Sequence, residues 1–314
     1  MSNLATRVLV AVVGIPLILL VTMAGGFYFY GFVLLAALLA LSELFALARA
    51  KGMDPQRVCG MVFGALLVTS FLFVKIRALI IGASLAHGVA LPFPSMAQWL
   101  LILYLTFVPL IMIFEMFRAK PGSLSNISVS VFGASYLGLF FGSLVGIREL
   151  FVPEDFPFSA FFPVQGISVP EEISSRLYSW GGYTVISIFA AIWICDTAAY
   201  FIGRSIGRHK LFPRVSPNKT WEGAVAGFIA AIGVFLLARV LVLPYLSVPQ
   251  SIVCGSIVGL IGQVGDLAES LLKRDAGVKD SSSLIPGHGG VLDRFDSLLF
   301  VAPAMFVYLD FIVF

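Results

Sequence analysis

The chain has 314 residues, of which 59% are hydrophobic and only 12% are charged, and its mean hydropathy is +1.01. This composition excludes an ordinary soluble protein and is typical of an integral membrane protein. The formal net charge of +3 is small, so the positions of the basic residues carry more information than their total.

Long apolar runs divide the chain into segments that can each cross a bilayer as a helix. We predict an all-α, polytopic membrane protein with about nine transmembrane helices. The predicted spans are residues 8–24, 27–47, 58–76, 97–117, 128–147, 183–203, 223–243, 250–272 and 295–313. Residues 78–91 form a shorter apolar stretch that is typical of a re-entrant or surface helix. The first run is longer than the apolar region of a cleaved signal peptide, so we expect it to be retained.

The basic residues fall mainly on one side of this nine-span arrangement. If Arg7 is cytoplasmic, 15 of the 20 lysine and arginine residues lie on the cytoplasmic side, as the positive-inside rule requires. The two most highly charged loops, 204–222 and 273–296, then share the cytoplasmic face. In the N-terminal half, Glu43 and Glu115 lie at cytoplasmic helix ends, and we expect them to be interfacial or paired rather than catalytic.

Residues 195–223 have the features of a phosphate-binding segment. Ser216 before Pro217 is typical of a helix start, and Thr220 would cap a start slightly later. In either case a helix N-terminus faces the cytoplasm, where its free N–H groups and positive dipole attract phosphate.

Basic side chains near this helix start add charge suited to a polyphosphate or an anionic headgroup. For Arg208, Lys210 and Arg214, membrane topology alone explains the charge equally well, because cytoplasmic loops are basic in any case. Lys219 lies among capping and acidic side chains, and there we favour a functional role.

Two predicted helices carry acidic residues at their cytoplasmic ends. Asp266 and Glu269 are three residues apart, so both lie on one helix face. Asp293 and Asp296 repeat this spacing on the next helix. Carboxylates so close repel one another unless a cation lies between them, and hard oxygen ligands suit Mg²⁺. The alternative is a set of structural salt bridges, but ionisable groups at membrane depth favour the metal.

Two further residues allow both a functional and a structural interpretation. Asp196, near the cytoplasmic end of its span, either contacts a metal or substrate or neutralises Arg204. His288 precedes the Gly289-Gly290 pair, where the backbone can approach a ligand closely, and we favour a phosphate contact. A cation held by carboxylates, beside basic residues and a helix start, is suited to phosphoryl or nucleotidyl transfer.

The C-terminal signature resembles that of the phosphatidate cytidylyltransferases, also called CDP-diacylglycerol synthases. The matching elements are Ser270, Lys273-Arg274, Lys279-Asp280, His288-Gly289-Gly290, Asp293-Arg294 and Asp296. The blocks Asp-Thr-Ala-Ala-Tyr from Asp196 and Ser-Pro-Asn-Lys-Thr-Trp-Glu-Gly from Ser216 are also similar to that family. Together these blocks cover residues 195–297, and the N-terminal half resembles the family only in hydropathy.

The resemblance implies transfer of CMP from CTP to phosphatidic acid, giving CDP-diacylglycerol and pyrophosphate. It implies Mg²⁺ as cofactor, with Asp266, Asp293 and Asp296 as ligands; whether a second, monovalent cation shares the site stays open. Lys219 and these three aspartates are the predicted catalytic residues. The predicted substrate-binding residues are Ser216, Thr220, Lys273, Arg274, His288, Gly289, Gly290 and Arg294.

We interpret residues 1–150 as N-terminal transmembrane helices and residues 151–314 as a C-terminal transmembrane catalytic region of one membrane-embedded unit. The expected partners are CTP, phosphatidic acid and membrane lipids, with no nucleic acid, and homo-oligomerisation stays open. We expect an integral protein of the plasma (inner) membrane with its active site on the cytoplasmic side.

Other functions stay open at this point. A related cytidylyltransferase or kinase acting on another lipid phosphate or a polyprenol would use similar residues, but a kinase would release a nucleoside diphosphate. A cation-coupled transporter would use Asp196, Asp266 and Glu269 as an ion path. Against transport, these acids collect near one membrane face, and the basic loops would repel cations.

Overall fold

The structure, a computed structural model, describes residues 3–87, 93–151 and 171–314, and most of these residues are helical. The helices are α1 (Asn3–Ala24), α2 (Gly26–Ala50), α3 (Arg57–Ser70), α4 (Phe73–Ala86), α5 (Met96–Met116), α6 (Ser123–Glu149), α7 (Glu171–Ile206), α8 (Trp221–Leu241), α9 (Val248–Asp275) and α10 (Leu292–Tyr308). A π-helical turn, Leu309–Val313, continues α10. An antiparallel hairpin of β1 (Lys210–Phe212) and β2 (Ser216–Thr220) connects α7 to α8.

Seven helices in the described part of the chain are long and apolar enough to cross a membrane. These are α2, α5, α6, α7, α8, α9, and α10 with its π-helical turn. The count rises to eight if α3 and α4 form one broken span, and residues Val10–Ala24 of α1 are apolar but shorter. The predicted all-α, polytopic class is therefore confirmed, while the count of nine stays a prediction.

The predicted span 58–76 is not one straight helix, because α3 and α4 meet at an angle of 83°. Thr69 and Ser70 end α3, and their hydroxyl groups donate hydrogen bonds of 2.7 and 2.8 Å to carbonyl groups four residues earlier. Such bonds weaken and bend the last turn of a helix. The short apolar stretch 78–91 accordingly begins inside α4, and its residues 88–91 lie outside the described residues.

The chain folds as two compact units. The first contains the described parts of Met1–Tyr28 and Ile147–Phe314, and the second is Phe29–Gly146. In the first unit, α1 packs against α7 although the two are distant in sequence. The division into residues 1–150 and 151–314 stays a prediction.

Buried Arg148, at the end of α6, joins α1 and α7 in the first unit. Its guanidinium donates hydrogen bonds to the carbonyl groups of Thr22 (2.8 Å), Met23 (3.1 Å) and Tyr178 (3.1 Å). It also lies 4.0 Å from the centroid of the Tyr178 ring. Because a buried guanidinium is costly unless its donors are paired, these contacts hold residue 148 against α1 and α7 within the first unit.

Helices α7, α8, α9 and α10 pack in sequence order and bring four helix ends together. Gly223 and Gly227 of α8 face α7, where a Cβ atom would lie 2.5 Å from the Ala199 carbonyl oxygen and 2.9 Å from that of Cys195. Small residues at this spacing let membrane helices approach closely. As a result, the C-terminal ends of α7 and α9 lie beside the N-terminal ends of α8 and α10.

Candidate active site

The hairpin and the first turn of α8 carry the first group of predicted residues. Ser216 begins β2, and Thr220 is the helix cap, with its Oγ1 accepting a hydrogen bond of 3.3 Å from the backbone of Gly223. Of the two predicted helix starts, the later one is therefore confirmed and the one at Ser216 is wrong. Oε1 of Glu222 lies 2.6 Å from Nδ1 of His209. This contact ties the base of the hairpin to the first turn of α8.

Lys219 projects from β2 to the C-terminal half of α9. Its Nζ lies 2.6 Å from Oδ2 of Asp266, and each side chain is about a quarter exposed. Ser270, one turn later on α9, donates a weak hydrogen bond of 3.4 Å to Oδ1 of the same carboxylate. Two residues predicted to be catalytic thus form a direct ion pair.

Asp196, Asp266 and Asp296 form a group of carboxylates, which we call the acidic group. The charge of Asp196 interacts with those of Asp266, Lys219 and Arg294. The charge of Asp296 interacts with those of Asp266, Asp196 and Lys273. Residues 100 positions apart in sequence therefore share one electrostatic environment at the end of the bundle.

The first of two cavities beside this group, the hairpin cavity, lies between the hairpin and helices α7, α8 and α9. Its volume is about 590 Å³, and its walls include Asp196, Tyr200, Lys219, Gln263 and Asp266. Tyr200 and Gln263 were not among the predicted site residues. The position of Gln263, three residues before Asp266 on the same helix, is a signal that could have identified it.

The second cavity, the loop cavity, is formed by the loop between α9 and α10 together with the start of α10. Its volume is about 600 Å³, and its walls include Lys279, Asp280, His288, Gly289 and Arg294. Three predicted substrate-binding residues therefore line one cavity. Gly289 has a φ of 84° and Gly287 a φ of 76°, a conformation that glycine adopts without strain.

Lys273 and Asp293 lie in a buried network beside the loop cavity. Nζ of Lys273 lies 2.6 Å from Oε2 of Glu269 and 2.6 Å from Oδ1 of Asp293. Oδ2 of Asp293 accepts hydrogen bonds from the backbone and hydroxyl of Ser281, both at 2.9 Å, and from the backbone of Gly290 at 2.7 Å. Ser281 and Glu269 were not among the predicted site residues.

Six predicted site residues do not line either of these two cavities. They are Ser216, Lys273, Arg274, Gly290, Asp293 and Asp296. Arg274 is exposed and donates a hydrogen bond of 2.9 Å to the carbonyl of Val278, at the end of its helix. Their predicted roles in binding or catalysis stay predictions.

The acidic group offers the ligand chemistry that Mg²⁺ prefers. In the residues that the structure describes, no three acidic, His or Cys side chains are already arranged around a common metal position. Asp196, Asp266 and Asp296 nevertheless bring three hard carboxylates into one electrostatic environment, so their chemistry fits a divalent cation. Asp293 differs, because its two oxygens already accept four hydrogen bonds.

Comparison with known proteins extends the similarity beyond these motifs. A family model described as the cytidylyltransferase family matches residues 5–312. A phosphatidate cytidylyltransferase from Synechocystis sp. (strain ATCC 27184 / PCC 6803 / Kazusa) is 34% identical over 306 residues, which are 96% of this chain and 95% of that protein.

Two further relatives match over 131 residues each. A phosphatidate cytidylyltransferase from Staphylococcus saprophyticus is 44% identical, over 42% of this chain and 50% of that protein. One from Brucella suis biovar 1 is 47% identical, over 41% of this chain and 47% of that protein. The similarity to the Synechocystis protein therefore includes the N-terminal half, which resembles the family only in hydropathy when its motifs are considered alone.

Proposed function

This chain belongs to the cytidylyltransferase family, and on that premise we propose that it transfers CMP from CTP to phosphatidic acid. The products are CDP-diacylglycerol and pyrophosphate, so the enzyme acts in phospholipid biosynthesis. The observation that carries the proposal is that the acidic group and two cavities with basic residues in their walls meet at one end of a bundle of membrane helices.

In this reaction, a phosphate oxygen of phosphatidic acid attacks the α-phosphorus of CTP. A P–O bond to the lipid forms while the bond from the α-phosphorus to the bridging oxygen of the β-phosphate breaks, and pyrophosphate leaves with that oxygen. Because both substrates are anionic, the protein has mainly to hold them and to neutralise their charge. We assign these tasks to Lys219, His288 and Arg294, which line the two cavities.

We propose that Mg²⁺ binds at the acidic group, held by Asp266 and Asp296 together with Asp196. When bound, a divalent cation neutralises phosphate charge and orients the attack. The proposal is supported by the mutual interaction of these three carboxylates, whose repulsion a bound cation would relieve. Lys219 forms an ion pair with Asp266, and the reaction would require this lysine to exchange that contact for substrate phosphate or to share it.

We also propose that the site faces the cytoplasm and that the protein resides in the plasma membrane. Four basic residues around the hairpin are exposed, as the positive-inside rule requires of a cytoplasmic loop: Arg204, Arg208, Lys210 and Arg214. The hairpin cavity is bounded by membrane helices, so the lipid phosphate can enter while its acyl chains stay in the bilayer.

The test uses the purified full chain in detergent with phosphatidic acid, Mg²⁺ and CTP labelled in the α-phosphate. We expect label in the lipid and an equal amount of released pyrophosphate. Asp266→Asn should lower both by about 10²-fold, whereas Glu172→Gln, which removes an exposed carboxylate in the first turn of α7, should lower neither. Unlabelled lipid product with release of a nucleoside diphosphate would instead identify a kinase and overturn the proposal.

A further inference from the structure

The loop between α9 and α10, residues 276–291, forms most of the wall of the loop cavity but has little regular structure. Its internal backbone contacts include the bridge between Ile285 and Gly289 and a hydrogen bond of 2.9 Å from the backbone of His288 to the carbonyl of Ile285. Contacts with the helices beneath the loop add to these and help to hold its shape.

One oxygen of Asp293 closes the cavity-lining part of this loop. Oδ2 accepts hydrogen bonds from the backbone and hydroxyl of Ser281 and from the backbone of Gly290. Ser281 and Gly290 flank residues 282–289, which contain most of the loop residues that line the cavity. A single carboxylate oxygen thus joins the two ends of the segment.

The other oxygen of Asp293 is held by Lys273. The Lys273 side chain is 10% exposed, and its Nζ lies 2.6 Å from carboxylate oxygens of both Asp293 and Glu269. Those two side chains are 3% and 1% exposed. Since a buried ammonium between two buried carboxylates is already paired, Lys273 is poorly placed to contact a phosphate in the cavity.

We propose that Lys273, Asp293 and Ser281 form a clamp that holds the loop in the shape required for substrate binding. Lys273 and Ser281 are then positioning residues, which act on substrate phosphate only through cavity residues such as His288 and Arg294. A loop held in its binding shape loses less conformational entropy when a ligand binds, so the clamp raises affinity without contacting the ligand. The effect on substrate affinity rests on the proposed function, whereas the structural role of the clamp does not.

The first measurement is hydrogen–deuterium exchange of the loop in the purified full chain, with no substrate present. Ser281→Ala removes one hydroxyl, and we expect exchange of the peptide spanning residues 276–291 to become about fivefold faster. Ser281→Thr, which keeps the hydroxyl, should restore protection. The matched control is Ser256→Ala in α9, whose hydroxyl donates a hydrogen bond of 2.8 Å to the Ile252 carbonyl of its own helix.

Lys273→Met tests the other side of the clamp. It leaves two carboxylates without their cation, so Ser281→Ala carries the test if this variant does not fold. If both single variants fold, the double variant should exchange more slowly than the product of the two single effects predicts, because both changes release the same loop. An unchanged loop peptide in Ser281→Ala would overturn the clamp, whatever the activity of the variant.

Kinetics then separate positioning from direct contact. With Ser281→Ala, we expect the KM for CTP or for phosphatidic acid to rise about fivefold with a smaller change in kcat, in parallel with faster exchange. For Lys273→Met, a higher KM with unchanged loop exchange would show a direct phosphate contact and overturn the proposal for that residue. If wild-type protein transfers no CMP but the variants alter exchange as described, the clamp stands and the proposed function fails.

Discussion

The two units each contain a cluster of carboxylates at helix ends, and the clusters differ in how their charges are balanced. In the second unit, Glu115 accepts hydrogen bonds of 2.7 Å from Gln56, 2.9 Å from Arg118 and 2.8 Å from Asn126. Arg118 also pairs with Asp54. We call these five residues the closed cluster, since each carboxylate is matched by donors from the protein itself.

The acidic group of the first unit lacks this balance. Asp196, Asp266 and Asp296 interact with one another's charge, and the ion pair of Asp266 with Lys219 is partly open to a cavity. A cluster whose carboxylates are matched by donors from the protein stabilises a fold and needs no ligand. A cluster with excess charge beside a cavity is suited to bind one. The expectation that Glu115 is paired is confirmed, and the expectation that it is not catalytic stays a prediction.

Removal of divalent cations should give the largest difference between the two clusters. If the acidic group holds Mg²⁺, chelation with EDTA should lower CMP transfer by about 10³-fold or more, because an essential charge is lost. Added Mg²⁺ should restore the rate, and the thermal stability of the second unit should not change in either condition. Full activity in EDTA would contradict a metal role for the acidic group.

Breaking the ion pair of the acidic group should give the next largest effect. Asp266→Asn should lower kcat by about 10²-fold, because a charge that acts in the transition state is removed. The thermal midpoint should change little, since the side chain is partly exposed. Glu172→Gln serves as the matched control. Loss of folded protein in Asp266→Asn with a normal rate per folded molecule would place this aspartate with the structural residues instead.

For the closed cluster we expect a loss of stability without a loss of activity. Glu115→Gln replaces an acceptor of three hydrogen bonds with a group that donates toward some of the same partners. We expect the free energy of unfolding to fall by about 3 kcal/mol, as for other broken buried pairs. Activity per folded molecule should stay at the wild-type value. The free energy is measured by denaturant titration in detergent, and a large fall in kcat of the folded fraction would show that this cluster also serves the reaction.

The sequence alone predicted the membrane class, and it identified several residues that the structure places around the two cavities. Apolar runs and positions within a helix turn are local properties, so the acidic ends of α9 and α10 could be identified without a structure. The pairing of Lys219 with Asp266 could not, because it depends on how β2 lies against α9. The same holds for Ser216, which lies in a strand because the hairpin pairs Lys210 with Thr220.

Lys273 shows most clearly what the sequence alone could not predict. Its place in the signature made it a candidate for phosphate binding, and structural salt bridges with the nearby acidic residues were the alternative. Only the packing of α10 against α9 brings Asp293 within 2.6 Å and buries the ammonium. Ser281 had no sequence signal of its own, because its role depends on one oxygen of Asp293.

The smallest expected effect is on thermal stability and comes from Asp54, at the exposed edge of the closed cluster. The hydrogen bond from Lys120 and the charge of Arg118 lower the pKa of Asp54 below its ordinary value of 3.8. A group with a lowered pKa in the folded state contributes stability above its ordinary pKa, and the contribution is lost as the pH falls through the lowered value. Wild-type protein should therefore have a higher thermal midpoint than Asp54→Asn at pH 6, and this difference should shrink below about pH 4. Because Asp54 is partly exposed, the difference should be small and should decrease with added salt. A difference that is constant with pH would mean that Asp54 stabilises the loop through neutral hydrogen bonds rather than through its charge.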